Sequence, residues 1–250
     1  MLAENRWEKI VEIVSERNSC SVRELADELN TSEATIRRDI IALDKAGRVQ
    51  KVHGGVMKAR NSFVLTDQSV SEKHTLHPEE KEKIGRYAAS LIKENAFVYI
   101  DAGTTTEALA RHITVTSATY VTNSITIARI LLQKGMQVII PGGRIKNSTE
   151  AMIGSETVDA IRSFNFTIGF FGANGVNEKN GFMTPEINEA TVKKTAMHQC
   201  RVRYVLCDHS KFSVISPITF AGFNEAQIIT DFTEDLGEEA DNVYSVKGEA

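Results

Sequence analysis

Apolar side chains recur at helical spacing through the first 45 residues. Trp7, Ile10, Val11 and Val14 fall at i, i+3, i+4 and i+7, the stripe of an amphipathic helix. Val22, Leu25, Ala26 and Leu29 repeat that spacing, and Ser21 with Glu24 forms a capping box at the start of this second helix. Asn30-Thr31-Ser32 leaves room only for a tight turn before a third helix, with Ile36, Ile40 and Leu43 facing inward. Two helices so closely joined predict a helix-turn-helix. Gly47 ends the third helix. Arg48 to Val52 then alternates as a strand, His53-Gly54-Gly55 turns, and Val56-Met57-Lys58 returns. A hairpin in that place is a wing. The exposed side of the third helix carries Ala34 and Arg38, flanked by Thr35 and Arg37. Small residues plus two guanidinium forks suit close approach to a major groove.

Periodicity lapses from Ala59 to about Pro78, which reads as a connector with one short strand around Phe63-Val64-Leu65. His74 and His77 there have no carboxylate or cysteine cluster beside them, so they read as loop residues rather than metal ligands. A helix over 79–95 follows, with Ile84, Ala88, Leu91 and Ile92 on one face. Then come short apolar runs at 97–100, 120–121, 138–140, 167–171, 204–207, 228–229 and 243–246. Helical stretches at 105–113, 125–134, 155–161 and 188–199 lie between several of them. Continuous apolar strands alternating with helices predict a mostly parallel sheet covered on both faces. The expected fold class is α/β: a winged helix-turn-helix domain over 1–58, a connector over 59–78 and a sheet domain over 79–250.

Ligands in such sheets bind at the C-terminal strand ends, and polar chemistry collects there. The first run exits into Asp101-Ala102-Gly103-Thr104-Thr105-Thr106, the second into Thr122-Asn123-Ser124, the third into Pro141-Gly142-Gly143-Arg144 and the fourth into Gly172-Ala173-Asn174-Gly175. A helix N-terminus behind threonines favours an anion such as a phosphate. Taken singly, each exit is equally well a helix cap; taken together, they point to one shared pocket. Glu189 and Lys193 stand at i, i+4, and Asp208-His209-Ser210-Lys211 leaves the strand at 204–207. The first pair also reads as a surface helix pair; the second set sits at the expected pocket edge.

Net charge is −4, but it is unevenly divided: residues 1–60 carry net +1 and the remainder −5. Residues 36–60 hold seven basic groups, Arg37, Arg38, Lys45, Arg48, Lys51, Lys58 and Arg60, against Asp39 and Asp44. That patch serves either as an ordinary solvated face or as a phosphate footprint. Three cysteines, Cys20, Cys200 and Cys207, form no CxxC pair, which fits a reducing cytoplasm. No apolar run is long enough to span a bilayer, and no signal-peptide core is present. Gly169, Gly172 and Gly175 lack the dinucleotide-binding spacing and no Walker lysine pattern exists, so neither cofactor nor metal is expected.

The run Ser32-Glu33-Ala34-Thr35-Ile36-Arg37-Arg38-Asp39-Ile40, with Leu43, Gly47 and Val52-His53-Gly54-Gly55, resembles the N-terminal signature of the DeoR family of bacterial transcriptional regulators. The sheet domain resembles that family's effector domain in Asp101 to Thr105, Thr122-Asn123-Ser124, Gly142-Gly143, Gly175, Gly181, Glu189-Ala190 with Lys193, and Asp208 to Phe212. Ser213 departs from the glycine common there. The resemblance implies a ribose-5-phosphate-isomerase-like fold that senses phosphorylated sugars instead of catalysing, in the subgroup that controls phosphotransferase-system sugars such as fructose. It implies a repressor of a sugar-catabolic operon, with Ser32, Ala34, Thr35, Arg37, Arg38, Arg48, Lys51 and His53 on double-stranded operator DNA. Asp101, Gly103, Thr104, Thr105, Thr106, Thr122, Asn123, Ser124, Gly142, Gly143, Asn174, Gly175, Glu189, Lys193, Asp208 and Lys211 would surround the effector. Operators are read by symmetric pairs, so a homodimer or homotetramer without catalytic residues is expected. A sugar-phosphate isomerase-like enzyme with an accessory N-terminal domain is the alternative.

Overall fold

The computed structural model describes residues 3–45, 48–52, 54–58, 62–65, 69–212, 214–231 and 241–246. The chain divides into two compact units between Val64 and Leu65. The first contains α1 (Ala3–Arg17), β1 (Ser19–Ser21), α2 (Val22–Glu28), α3 (Glu33–Lys45), β2 (Val49–Val52), β3 (Gly55–Lys58) and the short β4 (Ser62–Phe63). The capping box is present, with Ser21 accepting from the Glu24 amide at 3.1 Å and Glu24 accepting from the Ser21 amide at 2.7 Å. Ile10, Val14, Leu25, Ile36, Ile40 and Leu43 close one core. The wing is wider than the predicted hairpin: the order is β1-β3-β2, all antiparallel. Gly55 permits it, because a Cβ there would lie 2.4 Å from the Cys20 carbonyl oxygen on β1.

The second unit runs through α4 (Val70–Thr75), α5 (Pro78–Ser90), β5 (Phe97–Ile100), α6 (Thr104–His112), β6 (Thr119–Thr122), α7 (Ile125–Gln133), β7 (Gln137–Ile139), β8 (Arg144–Lys146), β9 (Ala151–Ile153) and α8 (Ser155–Arg162). It continues with β10 (Phe166–Gly172), β11 (Gly175–Asn177), β12 (Gly181–Thr184), α9 (Ile187–His198), β13 (Cys200–Leu206), β14 (Val214–Ile215), β15 (Ile218–Ala221), β16 (Gln227–Thr230) and β17 (Val243–Ser245). The seven predicted apolar runs are the seven strands of one parallel sheet, ordered β17-β16-β13-β10-β5-β6-β7. Alternate side chains feed two cores. Val98, Ile100, Tyr120 and Phe170 pack under α5, α6 and α7 with Ile84, Leu109 and Ile127. Tyr99, Val121 and Phe171 pack under α8 and α9 with Val158, Ile161 and Val192.

Three features depart from the sequence expectation. Residues 70–75 of the expected connector are helical, and Ser69 and Glu72 form a second capping box. The stretch after residue 140 forms an antiparallel hairpin, β8–β9. The Gly-rich segment after β10 turns into the small antiparallel sheet β11-β12-β15. These strands are short, so they leave no alternation long enough to read.

Chain order reverses between β5 and β10: from β5 the sheet grows outward to β7 on one side, and from β10 to β17 on the other. That switch point opens a crevice at the C-terminal strand ends.

Candidate functional site

In the first unit, Ser32 caps α3, its hydroxyl oxygen accepting the Thr35 amide at 3.2 Å and lying 2.9 Å from the Thr35 hydroxyl. Ala34, Arg37 and Arg38 are exposed. Arg37 donates to Glu33 at 2.8 Å, one turn back. Asp39, next to them, is buried and accepts from Arg6 Nε at 2.5 Å and Trp7 Nε1 at 2.7 Å, tying α3 to α1. Arg48 is turned onto α1, donating to Glu8 at 3.0 Å. The Lys51 amide donates to Asp44 at 2.8 Å, with its side chain exposed. His53 lies outside the described residues. The exposed side of α3 therefore carries Ala34 and the Arg37–Arg38 pair, together with Glu33, Ile41 and Asp44.

In the second unit, a cleft opens over β5, β10 and β13. Gly103, Thr104, Thr105, Gly172, Asn174, Glu189, Lys193 and Lys211 line it. Gly103 is the N-cap of α6 and supplies no side-chain cap, so the first amides of that helix have no oxygen from the cap residue. Asp101 and Lys193 pair beneath the cleft, from sequence positions 92 residues apart. Lys193 also donates to the Gly172 carbonyl at 3.1 Å, and the Gly172 amide donates to Asp101 at 3.1 Å. Burial pushes the Asp101 carboxyl up, against the opposing pull of Lys193. Glu189 accepts from the Thr149 hydroxyl at 2.7 Å and faces Lys146 at 3.1 Å.

Asp208 is buried beside the cleft, and among the described residues its Oδ2 has no hydrogen-bond partner. Burial pushes its carboxyl up, but Lys211, His77, the Ser210 hydroxyl and Lys81 outweigh that and hold it below its ordinary range. Lys81 lines the cleft and is only 5% exposed. Burial lowers its pKa to about 8, with Asp208 opposing and Lys211 and Lys73 reinforcing the shift.

Several expected residues are drawn into framework bonds off the cleft lining. Thr106 donates to the Gly103 carbonyl at 2.9 Å. Thr122 accepts the Ser124 amide at 3.1 Å, and Ser124 caps α7 through the Ile127 amide at 3.3 Å. Asn123 accepts from the Ala102 amide at 3.0 Å and donates to the Met152 carbonyl at 3.3 Å, pinning the exit of β5 to β9. The Gly142 carbonyl accepts from Thr157 at 2.7 Å. Gly143 has φ +134, and a Cβ there would lie 2.1 Å from the Thr157 hydroxyl oxygen. Gly175 packs against the Val214 carbonyl, 2.3 Å from where a Cβ would stand. Of the four strand exits expected to share one pocket, those after β5 and β10 line the cleft, and Lys211 beyond β13 joins them. Among the described residues, no group of His, Cys, Asp or Glu is suited to hold a metal.

An exposed arginine pair on the second helix of a helix-turn-helix is followed along the chain by a lysine-lined crevice at a sheet's switch point. Residues 6–61 match the DeoR-like helix-turn-helix domain, and residues 76–232 match the DeoR C-terminal sensor domain. The chain belongs to the DeoR family. Among its DeoR relatives, the uncharacterised HTH-type transcriptional regulator FruR of Bacillus subtilis (strain 168) is 36% identical over 237 residues, 94% of either chain. A lactose phosphotransferase system repressor of Staphylococcus aureus (strain N315) is 31% identical over 243 residues, 96% of either chain. Partial likenesses among solved structures include ribose 5-phosphate isomerase A from Methanocaldococcus jannaschii, with TM-score 0.41, 16% identity and 54% of each chain covered. The sorbitol operon regulator SorC from Klebsiella pneumoniae gives TM-score 0.38 at 10% identity, covering 82% of this chain and 89% of that one.

As a DeoR protein the chain is a DNA-binding transcriptional regulator, which removes the isomerase alternative. Among the described residues no helix is long and apolar enough to cross a membrane. Sequence reasoning missed four polar side chains at the DeoR cleft. Lys73, Lys81 and Thr149 line it, and Lys146 stands behind Glu189. Lys81 was detectable: it interrupts the apolar face of α5, with Ile84 and Ala88 following it at i+3 and i+7.

Proposed function

We propose that this DeoR protein represses a sugar-utilisation operon, and that a phosphorylated sugar entering the cleft of residues 65–250 releases it from operator DNA. The observation that carries the reading is the convergence of Lys81 and Lys211 with the N-terminus of α6, which has no side-chain cap, on one crevice. Backbone amides and ammonium groups together favour a doubly charged phosphate. Thr104 and Thr105 add hydroxyls on the same side, while Glu189 and Asn174 offer acceptors to sugar hydroxyls. The relative named a lactose phosphotransferase system repressor points to the same substrate class. On DNA, Arg37 and Arg38 reach base edges or phosphates, Thr35 a thymine methyl, and Lys51 and His53 the backbone. Two such helices on a symmetric operator imply a dimer or tetramer, working in the cytoplasm.

Release requires the ligand to bind the DNA-free state more tightly than the DNA-bound state. The test is thermal denaturation with hexose and pentose phosphates and their unphosphorylated parents, followed by operator gel shifts with every sugar that stabilises. A phosphorylated sugar that stabilises the protein, and weakens operator binding where its parent does not, supports the reading. A panel in which no phosphorylated sugar outperforms its parent overturns it.

A further inference from the structure

The cleft is walled on one side by the first element that follows the helix-turn-helix unit. Val70, Lys73 and Leu76, from α4 and its C-cap, line the crevice. This six-residue helix buries none of its side chains, and a helix so short does not persist by itself in water. It is fastened at both ends. Ser69 and Glu72 cap its start. The Val70 amide donates to the Ser148 carbonyl at 3.1 Å, and His74 faces Glu107 at 3.2 Å. At its C-terminal end the buried ammonium of Lys81 donates to the carbonyls of Lys73 and Leu76, the latter at 2.5 Å.

Lys81 therefore belongs to two structures at once. It holds the end of α4, and it faces the cleft where an anion would sit. We infer that Lys81 is the residue that converts an occupied cleft into a released α4: a phosphate in the crevice takes the Lys81 ammonium away from the Lys73 and Leu76 carbonyls. A phosphate dianion is a stronger acceptor than a neutral carbonyl, and the buried Asp208 carboxylate attracts the same ammonium. Without Lys81, the carbonyls at the end of α4 lose their only described side-chain donors. The inference rests on the reading of the cleft as a phosphate site.

The same device occurs at α6, where Lys134 donates to the carbonyls of Ala110 at 3.1 Å and Ile113 at 2.9 Å. Lys134 is not part of the cleft lining, which makes it the control.

The experiment is amide hydrogen exchange on the full chain, alone and with inorganic phosphate or a hexose phosphate, for wild type, Lys81→Met, Ser69→Ala and Lys134→Met. In wild type, a ligand that slows exchange at 104–106 should speed exchange at 70–76 by tenfold or more. Lys81→Met should exchange fast at 70–76 without ligand, with no further change on adding it, while amides of β5 and β10 stay protected. Ser69→Ala should loosen α4 about fivefold through loss of its cap and still respond to ligand. Lys134→Met should loosen 110–113 alone, independently of ligand. Slowed exchange at both 104–106 and 70–76 in wild type would overturn the inference and leave the phosphate site standing. Undisturbed protection of α4 in Lys81→Met would also overturn it. Silence at both segments with every phosphate tried overturns the phosphate site as well.

Discussion

Arg38 and Asp39 are neighbours in sequence with opposite duties. One is exposed on α3, and the other is buried against Arg6 and Trp7. The run Arg37-Arg38-Asp39 is therefore part exposed surface and part clamp, a division that spacing alone does not reveal. Arg38→Ala should weaken operator binding by about 1–3 kcal/mol and lower the salt slope of log affinity by about one. Arg48→Ala should cost less affinity, because Arg48 is engaged with Glu8 before DNA arrives; titrating both variants against salt separates them. In the cleft, Lys193→Met strands a buried carboxylate at Asp101. The expected loss is about 3–5 kcal/mol at neutral pH. Because burial already raises the Asp101 carboxyl, that loss should shrink on acidification as Asp101 takes a proton. Adding Asp101→Asn in the Lys193→Met background should recover much of it, and urea unfolding of the single and double variants gives the coupling directly.

Elements buried on both faces could be read from sequence, while those resting on the surface could not. The inner strands β5, β6, β10 and β16 announced themselves as continuous apolar runs, because a parallel strand covered by helices has no polar face to alternate, and the edge strands β7 and β17 did so although they are partly exposed. The β8–β9 hairpin, the third wing strand β1 and helix α4 are short and only partly covered. For α4 the one available signal was the Ser69-x-x-Glu72 capping pattern. The cleft residues missed by sequence reasoning come from these inconspicuous pieces or, like Lys81, from the packed face of α5. That helix is held close to α6 at Gly85, where a Cβ would lie 2.6 Å from the backbone of Ala108 and Leu109. Gly85→Ala should push the helices apart and destabilise the unit by about 1–3 kcal/mol, read as a drop in its thermal midpoint. The exit of β13 is tied to the exit of β16 by His209 and Asp231, 2.6 Å apart. The Asp231 hydrogen bond raises the His209 pKa, with burial opposing. A raised imidazole stabilises below its unfolded value near 6.5, and that stability is lost as pH rises through the folded value. Urea midpoints should thus decline above about pH 6.5 more steeply in wild type than in Asp231→Asn.

Across the whole molecule, the two units have separate cores and opposite charge. Calorimetry should resolve two transitions. A bound phosphorylated sugar at 100 times its dissociation constant should add about 2.7 kcal/mol to the unit of residues 65–250 alone. The acidic balance of the larger unit hides the basic character of the smaller one, so net charge misleads until it is divided along the chain. The sheet order has a consequence in time. The crevice exists only after β10 has paired with β5, whose registered partners Ile168 and Val98 are 70 residues apart, and after α9 and the exit of β13 have docked. The helix-turn-helix unit is complete by residue 64, whereas Lys211 is made about 150 residues later, on the order of ten seconds at ribosomal speed. For that interval a nascent chain carries a finished helix-turn-helix unit and an unfinished cleft.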